Sequence, residues 1–156
     1  MRAIVGGNAG LADILAVPGA YLLAIRLAGP LALDIATLGP APLAPGLYLY
    51  DGSARGPGGI AARVGRHLRR TKRRHWHVDR LTGAGRVVAV AALVGGDECS
   101  LIARLHPHPG IVAPVAGFGA SDCRRGCPAH LLSIADAATL DDALALTAGL
   151  VIRDPA

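Results

Sequence analysis

GAYLLAIRL, Gly19 to Leu27, is followed across Gly29-Pro30 by LALDIATL, Leu31 to Leu38, and Arg26 and Asp34 are the only charges in the two runs. Two apolar runs joined by a Gly-Pro turn predict a β-hairpin. Gly39 to Gly46 holds three prolines and two glycines and reads as a loop, after which LYLY, Leu47 to Tyr50, predicts a third short strand. The glycine-rich segment Gly56-Pro57-Gly58-Gly59 then releases the chain into a helix from about Gly59 to Arg70. At 100° per residue, Ile60, Ala61, Val64 and Leu68 share one arc of that helix, and Arg63, Arg66, His67 and Arg70 share the next.

Further along, Trp76 to Leu81 and Arg86 to Val94 predict two more strands separated by Thr82-Gly83-Ala84-Gly85. Asp97 is placed to cap a helix carrying Leu101, Ile102 and Leu105. A Pro- and Gly-rich loop, His106 to Gly119, precedes a short strand around Leu131 to Ala135, and Thr139 to Asp142 opens a last helix through Leu150. Strands come in runs with helices inserted between them. This order predicts an α+β fold on a central, mostly antiparallel sheet, not a doubly wound parallel one.

A chain of 156 residues suits one domain. With 52% hydrophobic residues it is not expected to be disordered, and with 3% aromatics its core must be aliphatic. Its longest uncharged stretches are broken by prolines and glycines, so no membrane helix is expected. Met1 to Pro18 carries Arg2, Gly6-Gly7-Asn8 and Asp13 and makes a poor signal peptide, which predicts a cytoplasmic protein.

Charge is concentrated. Arg55 to Arg80 contains nine of the sixteen Lys and Arg residues and one acid, so this stretch carries +8 while the rest of the chain comes to −3. Five cations fall within Arg69 to Arg74. An unbalanced run of that kind is expected to face a polyanion, which makes nucleic acid the expected partner, DNA ahead of RNA, with Arg55, Arg66, Arg70, Lys72, Arg73, Arg74 and His75 as its contacts. With no Gln and a single Asn, the chain has few groups for reading bases.

The three tyrosines, Tyr21, Tyr48 and Tyr50, all lie on the first and third expected strands. Gly19-Ala20-Tyr21 and Tyr50-Asp51-Gly52 resemble the two halves of the GIY-YIG nuclease signature. Gly52-Ser53-Ala54 with the helix GIAARVGRHLRR, together with His75-Trp76-His77-Val78-Asp79, Glu98-Cys99-Ser100-Leu101, Gly117 to Cys123 and His130-Leu131, resembles an uncharacterised branch of that superfamily. These blocks span roughly 19 to 135 in the family's order.

The resemblance implies metal-assisted hydrolysis of a phosphodiester, and the expected protein is a structure-selective or weakly sequence-selective endonuclease acting on DNA, in repair. It assigns Tyr21 and Tyr50 to the phenols that act on the attacking water, Arg63 to the scissile phosphate, His67 to the position one turn later, and Glu98 to a Mg²⁺ or Mn²⁺ ion. Chemically the set is coherent. A planar guanidinium suits a phosphate, and one carboxylate suffices for Mg²⁺ when phosphate and water complete its shell. A phenol with an ordinary pKa of about 10 needs neighbouring cations to favour its phenolate. Asp51 and Ala20 depart from the family pattern, the gap between the halves is wide, and the usual active-site asparagine has only Ser121 or Asp122 as stand-ins.

Two other readings stand beside the nuclease: a nucleic-acid-binding module that kept the scaffold and lost the reaction, and a zinc-stabilised interaction domain. The second rests on Cys99, Cys123, Cys127 and His130. Three thiols and an imidazole match a tetrahedral zinc shell, although small buried free cysteines also account for such a set.

Overall fold

The computed structural model describes residues 15–121 and 123–155. Six strands form one sheet in the order β4-β5-β2-β1-β3-β6, and every neighbouring pair is antiparallel. In chain order they are β1 (Gly19–Leu27), β2 (Gly46–Ala54), β3 (Arg86–Val94), β4 (Ile111–Val112), β5 (Leu131–Ile134) and β6 (Leu150–Arg153). The helices are α1 (Gly59–Leu68), α2 (Asp79–Ala84), α3 (Glu98–Leu105) and α4 (Ala137–Thr147). The α+β class and the antiparallel sheet are as expected from the order of elements.

Side chains of a strand alternate between faces, and here each face carries its own pair of helices. Tyr21, Leu23 and Ile25 of β1 join Tyr48 and Tyr50 of β2 in one core, closed by Ile60 and Val64 of α1 and Val78 and Leu81 beside and in α2. Leu22, Ala24, Leu47 and Leu49 point the other way, against Ile102 and Leu105 of α3 and Leu140 and Leu144 of α4. A bulge helps to hold this division: β1 pairs Ala24 with Ala89 but Ile25 with Val87, so Val87 and Val90 both face the α1 side.

Leu31 to Leu38 is not the second strand of a hairpin; β1 pairs directly with β2. The segment keeps one isolated bridge, Leu31 to Leu43, and a 3₁₀ turn over Ala36–Leu38, while Leu33 and Ile35 sink into the core without a ladder. Trp76 to Leu81 is not a strand either. The Asp79 carboxylate accepts from the His75 and Trp76 N–H groups at 2.7 and 3.0 Å, which turns the chain into α2. Asp97 caps α3 as expected, accepting from Cys99 N–H at 2.9 Å. The last helix starts earlier than expected, capped by Asp136 at 2.8 Å to Thr139 N–H, and ends at Thr147, before β6. α1 is also shorter than read from the periodicity: Arg69 is already extended.

No helix among the described residues is long and apolar enough to cross a membrane. The reading of the leader falls largely on residues 1–14 and, like Asp122, lies outside the described residues.

Candidate functional site

The β2–β5 ladder ends at Tyr50 opposite Leu131, and only one more backbone bond, Asp51 N–H to His130 O at 2.9 Å, follows before β5 diverges. Beyond that point β2 has no neighbour on this side among the described residues, and a cleft of about 410 Å³ opens. Tyr21, Tyr50, Arg63 and Glu98 all line it, the first three from the α1 face and Glu98 from the first residue of α3. Side chains from four separate parts of the sequence therefore meet in one place.

Tyr21 and Tyr50 stand side by side, ring centroids 6.5 Å apart, with the His67 ring 5.4 and 6.1 Å from them. The Tyr21 hydroxyl lies 2.7 Å from His67 Nε2. Gly52 makes this possible. It pairs with Tyr21 across the ladder, and a Cβ there would overlap the phenol. Gly58 and Gly59, with φ of 80° and 58°, let the backbone turn into α1 directly above the strands.

His67 is 2% exposed, so it belongs to the apolar face of α1 with Ile60 and Val64 rather than to the solvated cationic stripe. Burial, opposed by the Asp79 carboxylate and reinforced by Arg66, Lys72 and Arg63, lowers its pKa to about 4. The ring is neutral at pH 7 and carries one N–H. Its Nδ1 has no hydrogen-bond partner among the described residues and lies 4.0 Å from Asp79 Oδ1, so the carboxylate's field places the proton on Nδ1. Nε2 then accepts from the Tyr21 hydroxyl.

The tyrosines do not follow the phenolate expectation. Burial, and after it the neighbouring Tyr50, push the Tyr21 pKa well above its ordinary value, and Arg63 only partly offsets them. Burial and Asp51 likewise raise Tyr50. Both rings are neutral phenols in the free protein.

Asp79 organises the other side of the cleft. Burial raises its carboxyl, but a bidentate pair with Arg66, 2.9 Å on each arm, and the His75 and Trp76 N–H groups outweigh burial and hold it at about 2. Sequence reasoning passed over this residue, although a lone acid inside a strongly cationic stretch was the signal. The Arg63 and Arg66 guanidinium groups both lie over the Trp76 ring, 4.5 and 4.2 Å from its centroid. His77 accepts from Gly119 N–H at 3.0 Å and with Ser121 also lines the cleft.

The expected nucleic-acid contacts divide. Arg66 is committed to Asp79, Lys72 caps the end of α1 through the His67 and Arg69 carbonyls, and Arg74 pairs with Asp34 at 3.3 Å. Asp34 also takes Arg80, so the run is less unbalanced in space than along the chain. Arg55, Arg70 and Arg73 are exposed and form no ion pair among the described residues, and His75 stacks edge-on against Trp76 at 5.0 Å at the cleft.

Across the sheet, Asp51 is 1% exposed and neither carboxylate oxygen has a partner among the described residues. Burial first, then the charges of Glu98 and Asp97, raise its pKa well above the usual range. Next to it lie Cys99, Cys123, Cys127 and His130, whose ligating atoms are all within 4.8 Å of one another.

Residues 20–151 match the family model for the domain of unknown function DUF123. The chain belongs to the DUF123 family. No curated protein and no solved structure matches this DUF123 chain significantly. The matched span runs from the first residue after Gly19 of β1 into β6, so it contains the whole cleft and the cysteine cluster of the DUF123 fold.

The unfolded His67 titrates near 6.5 and the folded one near 4, so between these values the unfolded chain binds more protons. Stability therefore falls as the pH drops through that window, by at most about 3 kcal/mol from this residue. His67→Gln, which does not titrate, is expected to flatten that slope in urea unfolding measured across the window. An unchanged slope would place the pH dependence elsewhere.

Proposed function

We propose that this DUF123 protein is a metal-dependent endonuclease of the GIY-YIG type that hydrolyses phosphodiester bonds in DNA. The observation that carries the reading is the meeting of Tyr21, Tyr50, Arg63 and Glu98 in one cleft, with the Tyr21 hydroxyl on a neutral imidazole. A cytoplasmic location and a role in repair follow from this proposal and rest on it.

The donors at the Glu98 end fit a hard cation. Glu98 is a half-buried carboxylate at the cleft, and the strongest charge acting on the orphaned Asp51 carboxyl beside it is that of Glu98. Oxygen donors of this kind suit Mg²⁺ or Mn²⁺. Glu98 would hold the ion, which when bound supplies Lewis-acid polarisation of the phosphoryl oxygen and offsets charge on the leaving group.

The remaining work falls to the protein's own groups. Arg63, free of ion pairs among the described residues, can leave the Trp76 face and grip a phosphate with its planar fork. The Tyr21 oxygen takes a proton from the attacking water while its own proton passes along the 2.7 Å hydrogen bond to His67 Nε2. The imidazolium that results is stabilised by Asp79 on its Nδ1 side. A neutral phenol thereby acts as a base without first becoming a phenolate, because the charge appears on histidine.

Flap, nicked and single-stranded DNAs, with matched RNAs, are incubated with the protein in Mg²⁺ or Mn²⁺ and with EDTA. Metal-dependent DNA cleavage that disappears in Glu98→Ala, with binding retained, is the expected result. Tight binding by the folded wild type with no turnover on any DNA would leave a binding module, and the nuclease reading would be withdrawn.

A further inference from the structure

We propose that Cys99, Cys123, Cys127 and His130 form a closed, structural Zn²⁺ site that fastens the loop before β5 to the start of α3. The inference is independent of the nuclease reading.

The distances match the metal. Zinc at about 2.3 Å from sulfur and about 2.0 Å from nitrogen in a tetrahedron sets sulfurs about 3.8 Å apart and sulfur from nitrogen about 3.5 Å. Cys99 Sγ lies 3.7 Å from Cys123 Sγ and 3.9 Å from His130 Nε2. A disulfide would need the sulfurs at about 2.05 Å, and all three thiols are free. Cys99 and three donors that follow it by 24 to 31 residues, all mutually within 4.8 Å, fill a tetrahedron and leave no open position for chemistry.

The local backbone is shaped for it. Gly126, at φ 75°, turns the chain between Cys123 and Cys127.

The fold gives the site a purpose. From Ala113 to Ala129 the chain forms no strand or helix among the described residues; Val115, Phe118 and Ala129 are its buried apolar residues, with Ala113 and Cys127 partly buried against the core. A cross-link from Cys123 and Cys127 to Cys99 supplies what this loop lacks. Cys99 follows Glu98, and Cys123 and His130 line the cleft, so the ion would set one wall of the cleft while leaving the sheet to its own hydrogen bonds.

Protein expressed with supplementary zinc and purified under reducing conditions is assayed for metal by mass spectrometry. One zinc ion per chain is expected in the wild type, and a large loss in Cys123→Ser and Cys127→Ser. Refilling stripped wild-type protein with Co²⁺ should give the intense visible ligand-field bands and thiolate charge-transfer absorption of a tetrahedral site, so the test survives if the variants do not fold. A reduced, folded wild type that takes up neither ion overturns the proposal, as does iron in place of zinc or undiminished zinc in both variants. None of these readouts depends on DNA cleavage, so the site and the nuclease reading can fail separately.

Discussion

Tyr21→Phe is expected to lower the single-turnover rate of DNA cleavage by about 10²- to 10⁴-fold, the range for removing a positioned acid–base group. The substitution keeps the ring that packs on Gly52 and beside Tyr50, and deletes only the hydroxyl held at 2.7 Å by His67. Structural cost should be small, about 1 kcal/mol for one hydrogen bond. DNA affinity and its salt dependence should stay as they were, because exposed Arg55, Arg70 and Arg73 are untouched. A parallel His67→Gln should lose much of the rate through the same proton path, and the double variant should lose little more than either alone. Fully additive losses, or a Phe variant as fast as wild type, would remove the relay from the mechanism.

The second large effect is on stability. Asp79→Ala leaves Arg66 without its bidentate partner and the His75 and Trp76 N–H groups without an acceptor, all around a residue that is 3% exposed. Breaking a buried pair from one side typically costs about 3–5 kcal/mol, which in a chain of this size lowers Tm by on the order of 10 °C. The loss should be read from thermal and urea unfolding at neutral pH, where Asp79 is fully ionised. Because this carboxylate also starts α2, the far-ultraviolet spectrum should lose some helix. A variant within about 1 kcal/mol of wild type would mean that water replaces the carboxylate readily.

Much of the frame is readable in the sequence alone. β1, α1, β3, the Asp97 cap and β5 each carry a local signal: an apolar run, a 3.6-residue period, or a capping side chain. Leu31 to Leu38 misled because apolar side chains at Leu33 and Ile35 serve a packed loop as well as a strand, and the backbone pairing that would tell them apart is non-local. Trp76 to Leu81 misled for another reason. Its local signal sits in one side chain, Asp79, whose hydrogen bonds to preceding N–H groups override the propensity of Trp76 and Val78. β6 is four residues long and follows a helix closed by Ala148 at φ 56°, a stop that residue type does not announce.

For the site, the resemblance pointed to Tyr21, Tyr50, Arg63 and Glu98 and residue types to the cysteines, all of which border or adjoin the cleft. Burial was not legible. It takes His67 off the cationic stripe and onto the Tyr21 hydroxyl, and keeps the phenols neutral in the free protein. Pairing was not legible either, since Arg66 and Arg74 find their acids at Asp79 and Asp34 only once the chain is folded.

The indole that the Arg63 and Arg66 guanidinium groups lie over is the sole tryptophan of the chain. Its emission therefore comes from the mouth of the cleft and from nowhere else. Any phosphate that draws Arg63 off the ring changes the indole's polarity and quenching, so occupancy can be followed optically with no added dye.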